Sequence, residues 1–193
     1  MLSTFIEGLP SEIAELLNTA VILGCGHGWG TEKVREVLGI RAWGVDVSAQ
    51  DVETAVRVRG STCGDQPQRC FFRASLLDLP FANDAFDVGL SADVFEHIAP
   101  EDVPRLVSEL TRTVKYVAIL RIAVFPMFVD FGEQLGVGNL HLTVENSTWW
   151  SKHFCAAGWK VLNVGKEIEQ SMGFATLILL RADAFHHSGS NEC

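Results

Sequence analysis

At 193 residues, with 48% hydrophobic and 20% charged residues, the chain is long enough to bury a core and too apolar to be disordered. Its formal net charge of −9 disfavours a nucleic-acid partner, because such binding draws on clustered Lys and Arg, and Arg105, Arg112, Lys115 and Arg121 are too dispersed to form a patch. No apolar run reaches membrane-spanning length, and Met1 to Pro10 lacks the basic-then-apolar build of a leader. The five cysteines, Cys25, Cys63, Cys70, Cys155 and Cys193, include no C-x-x-C pair, which argues against a disulfide framework or a zinc site. Reduced cysteines in a cytoplasm, and no metal, are the expectation.

In chain order, Ser11 caps a helix through Asn18, and Thr19 to Leu23 is a short apolar strand that ends in glycines. Thr31 to Leu38 follows as a helix closed by Gly39, and Ile40 to Val45 as a second strand ending at Asp46. Ser48 caps a helix to about Arg57, and Cys70 to Ala74 and Phe86 to Leu90 are further strands. Asp102 to Thr113 is helical, Tyr116 to Ile122 is a strand, and Thr148 to Ala157 is a helix closed by Gly158. Trp159 to Val164 and Phe174 to Leu180 are two last strands with no helix between them. This alternation predicts an α/β fold: a Rossmann-like, seven-stranded, mostly parallel sheet with helices on both faces and an antiparallel C-terminal hairpin. It fills one domain over residues 1–185, with a polar tail over 186–193.

A strand, then Gly24-x-Gly26-x-Gly28, then a helix lets backbone approach a ligand without Cβ clashes. The dinucleotide fingerprint G-x-G-x-x-G fails in every register, because Trp29, Thr31 and Lys33 stand where its last glycine belongs. The remaining spacing suits a loop packed on an adenosyl amino acid, or a plain tight turn. Asp46, 22 positions after Gly24, is placed to accept both hydroxyls of a ribose, or to cap the helix that follows.

Four segments in order then resemble a family. They are Val21-Ile22-Leu23-Gly24-Cys25-Gly26-His27-Gly28; Gly44-Val45-Asp46-Val47-Ser48; Leu79-Pro80-Phe81 with Asn83-Asp84-Ala85-Phe86-Asp87-Val88; and Val94-Phe95-Glu96-His97-Ile98. Together they resemble class I S-adenosylmethionine-dependent methyltransferases, in the small-molecule branch called type 11. The resemblance implies S-adenosylmethionine as cofactor. It implies that Gly24, Gly26 and Gly28 lie on its methionine part, Asp46 on the ribose, Ser75-Leu76-Leu77 by the adenine, and Ser91 near the sulfonium and the acceptor. Two positions depart from the family pattern: Ile22 replaces an acidic residue before the loop, and Ser75 replaces an aspartate at the adenine position.

An oxygen acceptor needs a base near neutral pH, and histidine is the natural one. His141 follows a long irregular stretch and is a candidate base; His97, in the fourth segment, is a second. Asp93 is placed to orient a histidine, to touch the acceptor or to cap a helix. His27 lies in the glycine loop, and His153 reads as structural. His186 and His187 lie in the polar tail. Phe125, Met127, Phe128 and Phe131, with Trp149 and Trp150, can line an apolar acceptor pocket or pack their own loop. So short an insertion leaves the acceptor to an open cleft or a partner subunit, as in a homodimer. The leading expectation is methyl transfer to a small molecule at an oxygen. The competing ones are a non-catalytic cofactor-binding or partner protein on the same fold, and a nicotinamide-dependent oxidoreductase, which the glycine spacing disfavours.

Overall fold

The apolar pentad at Thr19–Leu23 forms strand β1, buried along almost its whole length as a strand covered on both faces must be. The computed structural model describes residues 15–63, 70–125, 136, 138, 140–164 and 173–181. Residues 11–14 of the helix expected from Ser11, the phenyl rings at 128 and 131, Met127 and the polar tail lie outside them, while residues 15–18 form a turn and irregular chain where the helix was expected to continue. After β1 come helix α1 (Trp29–Leu38), β2 (Arg41–Asp46), α2 (Ala49–Arg59), β3 (Phe71–Arg73), β4 (Phe86–Ala92), α3 (Val103–Thr113), β5 (Val114–Ala123), α4 (Ser147–Ala156), β6 (Trp159–Val164) and β7 (Phe174–Arg181). The seven strands form one sheet in the order β3-β2-β1-β4-β5-β7-β6. β1 pairs with β2, and β2 with β3, in parallel, whereas β7 runs antiparallel to both β5 and β6. This is the mixed sheet with an antiparallel C-terminal pair that the element pattern predicted. The last apolar run, β7, lies inside the sheet, and β6 lies at its edge. Chain order reverses at β1, where open α/β sheets bind ligands.

The helix signals work as expected. Gly39 closes α1 at φ 67°, where a Cβ would be strained. The Ser48 side chain accepts the Asp51 N–H at the start of α2. Asn146 does the same for Trp149 at the start of α4. Strand β4 runs two residues beyond the expected strand, taking Ser91 and Ala92 into the sheet. Among the described residues, no helix is long and apolar enough to cross a membrane.

The chain divides into two compact units, residues 1–90 with 109–116, and residues 91–108 with 117–193. In the first, one carboxylate fastens two strand starts: Asp87 Oδ2 accepts Asn18 N–H and Thr19 N–H at 2.9 Å and the Thr19 hydroxyl at 2.8 Å. The Thr19 hydroxyl in turn accepts Asp87 N–H at 3.0 Å. The aromatic rings of Phe72, Phe81, Phe86 and Trp43 follow one another edge to face or tilted, with centroids 4.8–5.5 Å apart. In the second unit Trp150, Phe154 and Phe95 are fully buried, with Phe95 6.2 Å from Trp150 and 6.4 Å from Phe154. Of the adjacent tryptophans, Trp150 is therefore core. Trp149 is half-buried, with its ring 4.2 Å from that of His153.

The cysteines correct one expectation. Cys70 and Cys155 are each disulfide-bonded, so the absence of a C-x-x-C pair did not report their state. Bridging depends on Cα proximity in space, which sequence spacing does not carry. Cys25 is free and buried. Burial, then the negative charge of Asp46, pushes its thiol from the ordinary 9.0 up to about 12.

Two outcomes follow from this packing. Asp87→Ala removes the acceptor of three donors, and the denaturant midpoint should report a loss of about 3 kcal/mol at unchanged m-value; a loss within noise would show that the clamp does not stabilise the strands. For Cys25, the unfolded thiol ionises while the folded thiol stays neutral, so stability falls as pH rises from 9.0 toward about 12. Cys25→Ala should flatten that fall, and an identical slope in both proteins would overturn the assignment.

Candidate functional site

Strand β1 ends in a loop whose three glycines all take the left-handed region: Gly24 at φ 74°, Gly26 at 49° and Gly28 at 79°. Gly24 N–H and Cys25 N–H both donate to the Val45 carbonyl at 2.9 Å, tying the loop to the end of β2. Asp46 completes the tie. Its Oδ2 accepts Gly26 N–H at 2.8 Å and its Oδ1 accepts Ser48 N–H at 2.9 Å. The cap of α2 is thus Ser48, and Asp46 holds the glycine loop instead. Each Asp46 oxygen keeps a lone pair beyond these bonds, so the carboxylate can still accept two hydroxyls.

The glycines divide by what surrounds them. A Cβ on Gly28 would meet the Phe71 ring at 2.7 Å and Ala55 at 3.0 Å, so this glycine serves packing between the loop, α2 and β3. A Cβ on Gly26 would meet nothing within 4 Å. Its backbone borders open space, as a ligand-facing glycine must. Gly44 on β2 admits Cys25 and Thr31, each 2.8 Å from where its Cβ would stand. The imidazole of His27 is 63% exposed, with its Nε2 2.8 Å from Asp51 Oδ1. The His27 carbonyl accepts from Arg59, which also pairs with Glu32 of α1.

Ile22, at the position where the resembled family carries an acid, is a core residue, 8% exposed and facing Gly30 of α1. Ser75 is exposed and turns its own backbone: its Oγ accepts Leu77 N–H at 3.1 Å, and its carbonyl accepts Asp78 N–H at 3.1 Å. Leu76 is buried and Leu77 half-buried. Sequence reasoning missed the clamp on the segment that follows. Arg112 donates to the carbonyls of Phe81 at 2.6 Å and Leu79 at 2.9 Å, while Glu109 holds Arg112 and accepts Leu79 N–H at 2.7 Å. Its signal was a Glu and an Arg at i, i+3 on a helix, which also marks ordinary surface pairs.

In the second unit, Ser91 is 7% exposed near the end of β4. Asp93 neither caps a helix nor faces a histidine; it forms a two-pronged pair with the Arg121 guanidinium, at φ 57°, and its N–H donates to the Arg121 carbonyl at 3.0 Å. Arg121 also lies over the Phe174 ring. Glu96 is fully buried. Its Oε1 accepts Ala123 N–H at 3.3 Å, and its Oε2 has no hydrogen-bond partner among the described residues. Burial pushes the carboxyl up, and the nearby Asp93 charge adds to that. The structure brings the two candidate bases together: the rings of His97 and His141 stand edge to face with centroids 5.0 Å apart. His97 Nδ1 is 2.7 Å from the Leu140 carbonyl, which can only accept, so Nδ1 carries a proton and, in the neutral ring, Nε2 has the lone pair. Leu142 and Thr143 N–H groups donate to the Glu96 carbonyl at 2.8 and 3.0 Å, and the Thr143 hydroxyl donates to the Ile98 carbonyl at 2.6 Å. Those bonds fasten the His141 segment to the Glu96-His97 turn.

Residues 21–122 match the family described as methyltransferase domain. A 2-phytyl-1,4-naphtoquinone methyltransferase of Trichormus variabilis is 32% identical over 100 residues, which are 51% of this chain and 42% of that protein. The match thus spans less than half of that relative's length. Among solved structures, an O-methyltransferase family protein of Burkholderia thailandensis is similar with a TM-score of 0.69 and 17% identity, over 94% of this chain and 55% of that one. The 4+2 cyclase SpnF is similar with a TM-score of 0.62 and 16% identity, over 92% and 79%. At such identities the two structures speak for the fold alone, and the second shows that this fold also carries other chemistry. The family match spans the glycine loop, the Asp46 tie and the Glu96-His97 turn, and by it the chain belongs to the methyltransferase-domain family.

Proposed function

We propose that this chain transfers the methyl group of S-adenosylmethionine to a small molecule, at an oxygen. The observation that carries the reading is the coupling of Gly26 to Asp46: a backbone bordering open space, hydrogen-bonded to a carboxylate with spare lone pairs. That pairing suits a nucleoside whose ribose binds Asp46 and whose amino-acid part passes Gly24 and Gly26. Ser75, Leu76 and Leu77 are assigned the adenine and Ser91 the sulfonium end, as in the resembled family. The cofactor supplies an electrophilic methyl; the protein's part is orientation and exclusion of water. His141 is assigned the acceptor's base, with His97 beside it, because the Nε2 of His97 is left with a lone pair.

The naphthoquinone named for the Trichormus relative makes a reduced naphthoquinone a first acceptor to try. One observation favours a second reading, a cofactor-binding protein without catalysis: Ile22 is apolar and buried where the family carries an acid. Because Cys70 and Cys155 are each disulfide-bonded, the cysteine count no longer supports a cytoplasmic setting. We assign the chain one methyltransferase domain over residues 1–185, and light scattering tests whether it works as a homodimer.

Titration calorimetry with S-adenosylmethionine separates the two kinds of glycine. Gly26→Ala should keep the fold within about 2 kcal/mol, the strain of a left-handed alanine, yet weaken cofactor binding at least about tenfold. Gly28→Ala should cost about 3 kcal/mol or more in stability, from strain and the clash with Phe71 together. Full binding by Gly26→Ala would remove the loop from the cofactor site. Isotope-labelled methyl transfer to small hydroxylated acceptors, a reduced naphthoquinone among them, should place the label on oxygen; label on carbon or nitrogen would overturn the oxygen assignment. His141→Ala should lower turnover about a hundredfold with cofactor affinity unchanged, and unaltered turnover would take His141 out of the mechanism.

A further inference from the structure

A buried carboxylate oxygen with nothing to bind is costly, and a protein keeps one only where something offsets it. Glu96 is such a group: fully buried, one oxygen on Ala123 N–H, the other without a partner among the described residues. Two imidazoles stand beside it. One ligand atom from each of Glu96, His97 and His141 lies within 4.8 Å of the other two. Arg121, a cation that interacts with the Glu96 charge, is engaged by Asp93.

We propose that Glu96, His97 and His141 form a binding site for a divalent first-row transition-metal cation. Ligand atoms around an ion at about 2.1 Å are about 3.4 Å apart in a tetrahedral arrangement, so the three side chains close on an ion by small rotations. The tautomer of His97 is already set for it. Its Nδ1–H is spent on the Leu140 carbonyl at 2.7 Å, the outer-sphere bond that orients a ligating imidazole, and Nε2 keeps its lone pair. The bonds from Leu142, Thr143 and the Thr143 hydroxyl hold the His141 segment against the Glu96-His97 turn, so much of the ordering is complete before an ion arrives. Two imidazoles and one carboxylate select zinc, manganese, iron or cobalt over calcium and magnesium, which prefer all-oxygen shells. Three protein ligands leave a coordination position open. This part rests on the methyl-transfer reading: an acceptor oxygen takes that position, and in the loaded protein the two imidazoles are ligands and not bases.

The test is calorimetric titration of the chelator-dialysed full chain with zinc chloride and, separately, manganese chloride, with the thermal midpoint followed in parallel. One ion should bind per chain and raise the midpoint. Glu96→Gln, and separately His141→Ala, should each weaken binding at least about tenfold. His141→Ala replaces a half-buried loop side chain, so its fold can be verified by circular dichroism even if Glu96→Gln unfolds. Replacing His186 and His187 together by alanine should leave binding intact. No stoichiometric binding of either ion, or binding lost with the tail histidines and kept in His141→Ala, would overturn the site. Cofactor titration in the same preparation separates the two readings. S-adenosylmethionine binding without metal binding sinks the metal site alone, and metal binding without methyl transfer sinks the functional reading alone.

Discussion

The Asp46 carboxylate holds the glycine loop of the first unit in place. A carboxylate at the end of β2 reaches across to accept Gly26 N–H and back to accept Ser48 N–H, so one side chain sets both the loop after β1 and the start of α2. Charge-assisted bonds of this kind are stronger than neutral ones, and two of them on one carboxylate fix its plane. The Val45 carbonyl, shared by Gly24 and Cys25, adds a second tie one residue earlier. The loop can therefore hold three residues in the left-handed region without loosening. The same tie raises the Cys25 thiol beyond use, because the residue lies buried next to a fixed negative charge.

The second unit is built around the opposite situation. Glu96 is a carboxylate with one oxygen satisfied and one not, in a turn that also carries His97 and receives the segment of His141. Where Asp46 has donors on both oxygens, Glu96 has one on Oε1 and none on Oε2 among the described residues. The neighbouring Asp93, which the residue pattern offered as a cap or an orienting acid, is instead consumed by Arg121. Pairing with a guanidinium leaves it little freedom to act on a histidine.

The family match and the fold constrain these features unequally. Membership rests on residues 21–122, which hold both the glycine loop and the Glu96-His97 turn but not His141. The structural similarity to a cyclase is a reminder that the sheet is common property and that chemistry is decided by the side chains at its strand ends.

Much of this was legible in the residues. The apolar pentad before Gly24, the Ser48 and Gly39 caps and the apolar run of β7 are local signals, set by backbone sterics and short-range hydrogen bonds, and the elements formed where those signals stood. The glycine spacing likewise excluded a dinucleotide loop before any fold was known. What the residues could not show was which partners meet across the chain. That Gly28 answers to Phe71 and Gly26 to open space depends on where β3 passes. That Arg112 clamps Leu79 and Phe81 depends on approach between distant segments. His97 and His141 are 44 positions apart, so no local pattern joins them to Glu96. The order and type of the elements were readable in the residues because they follow from interactions within a few positions. The contacts between distant side chains were not, because they are set by long-range packing.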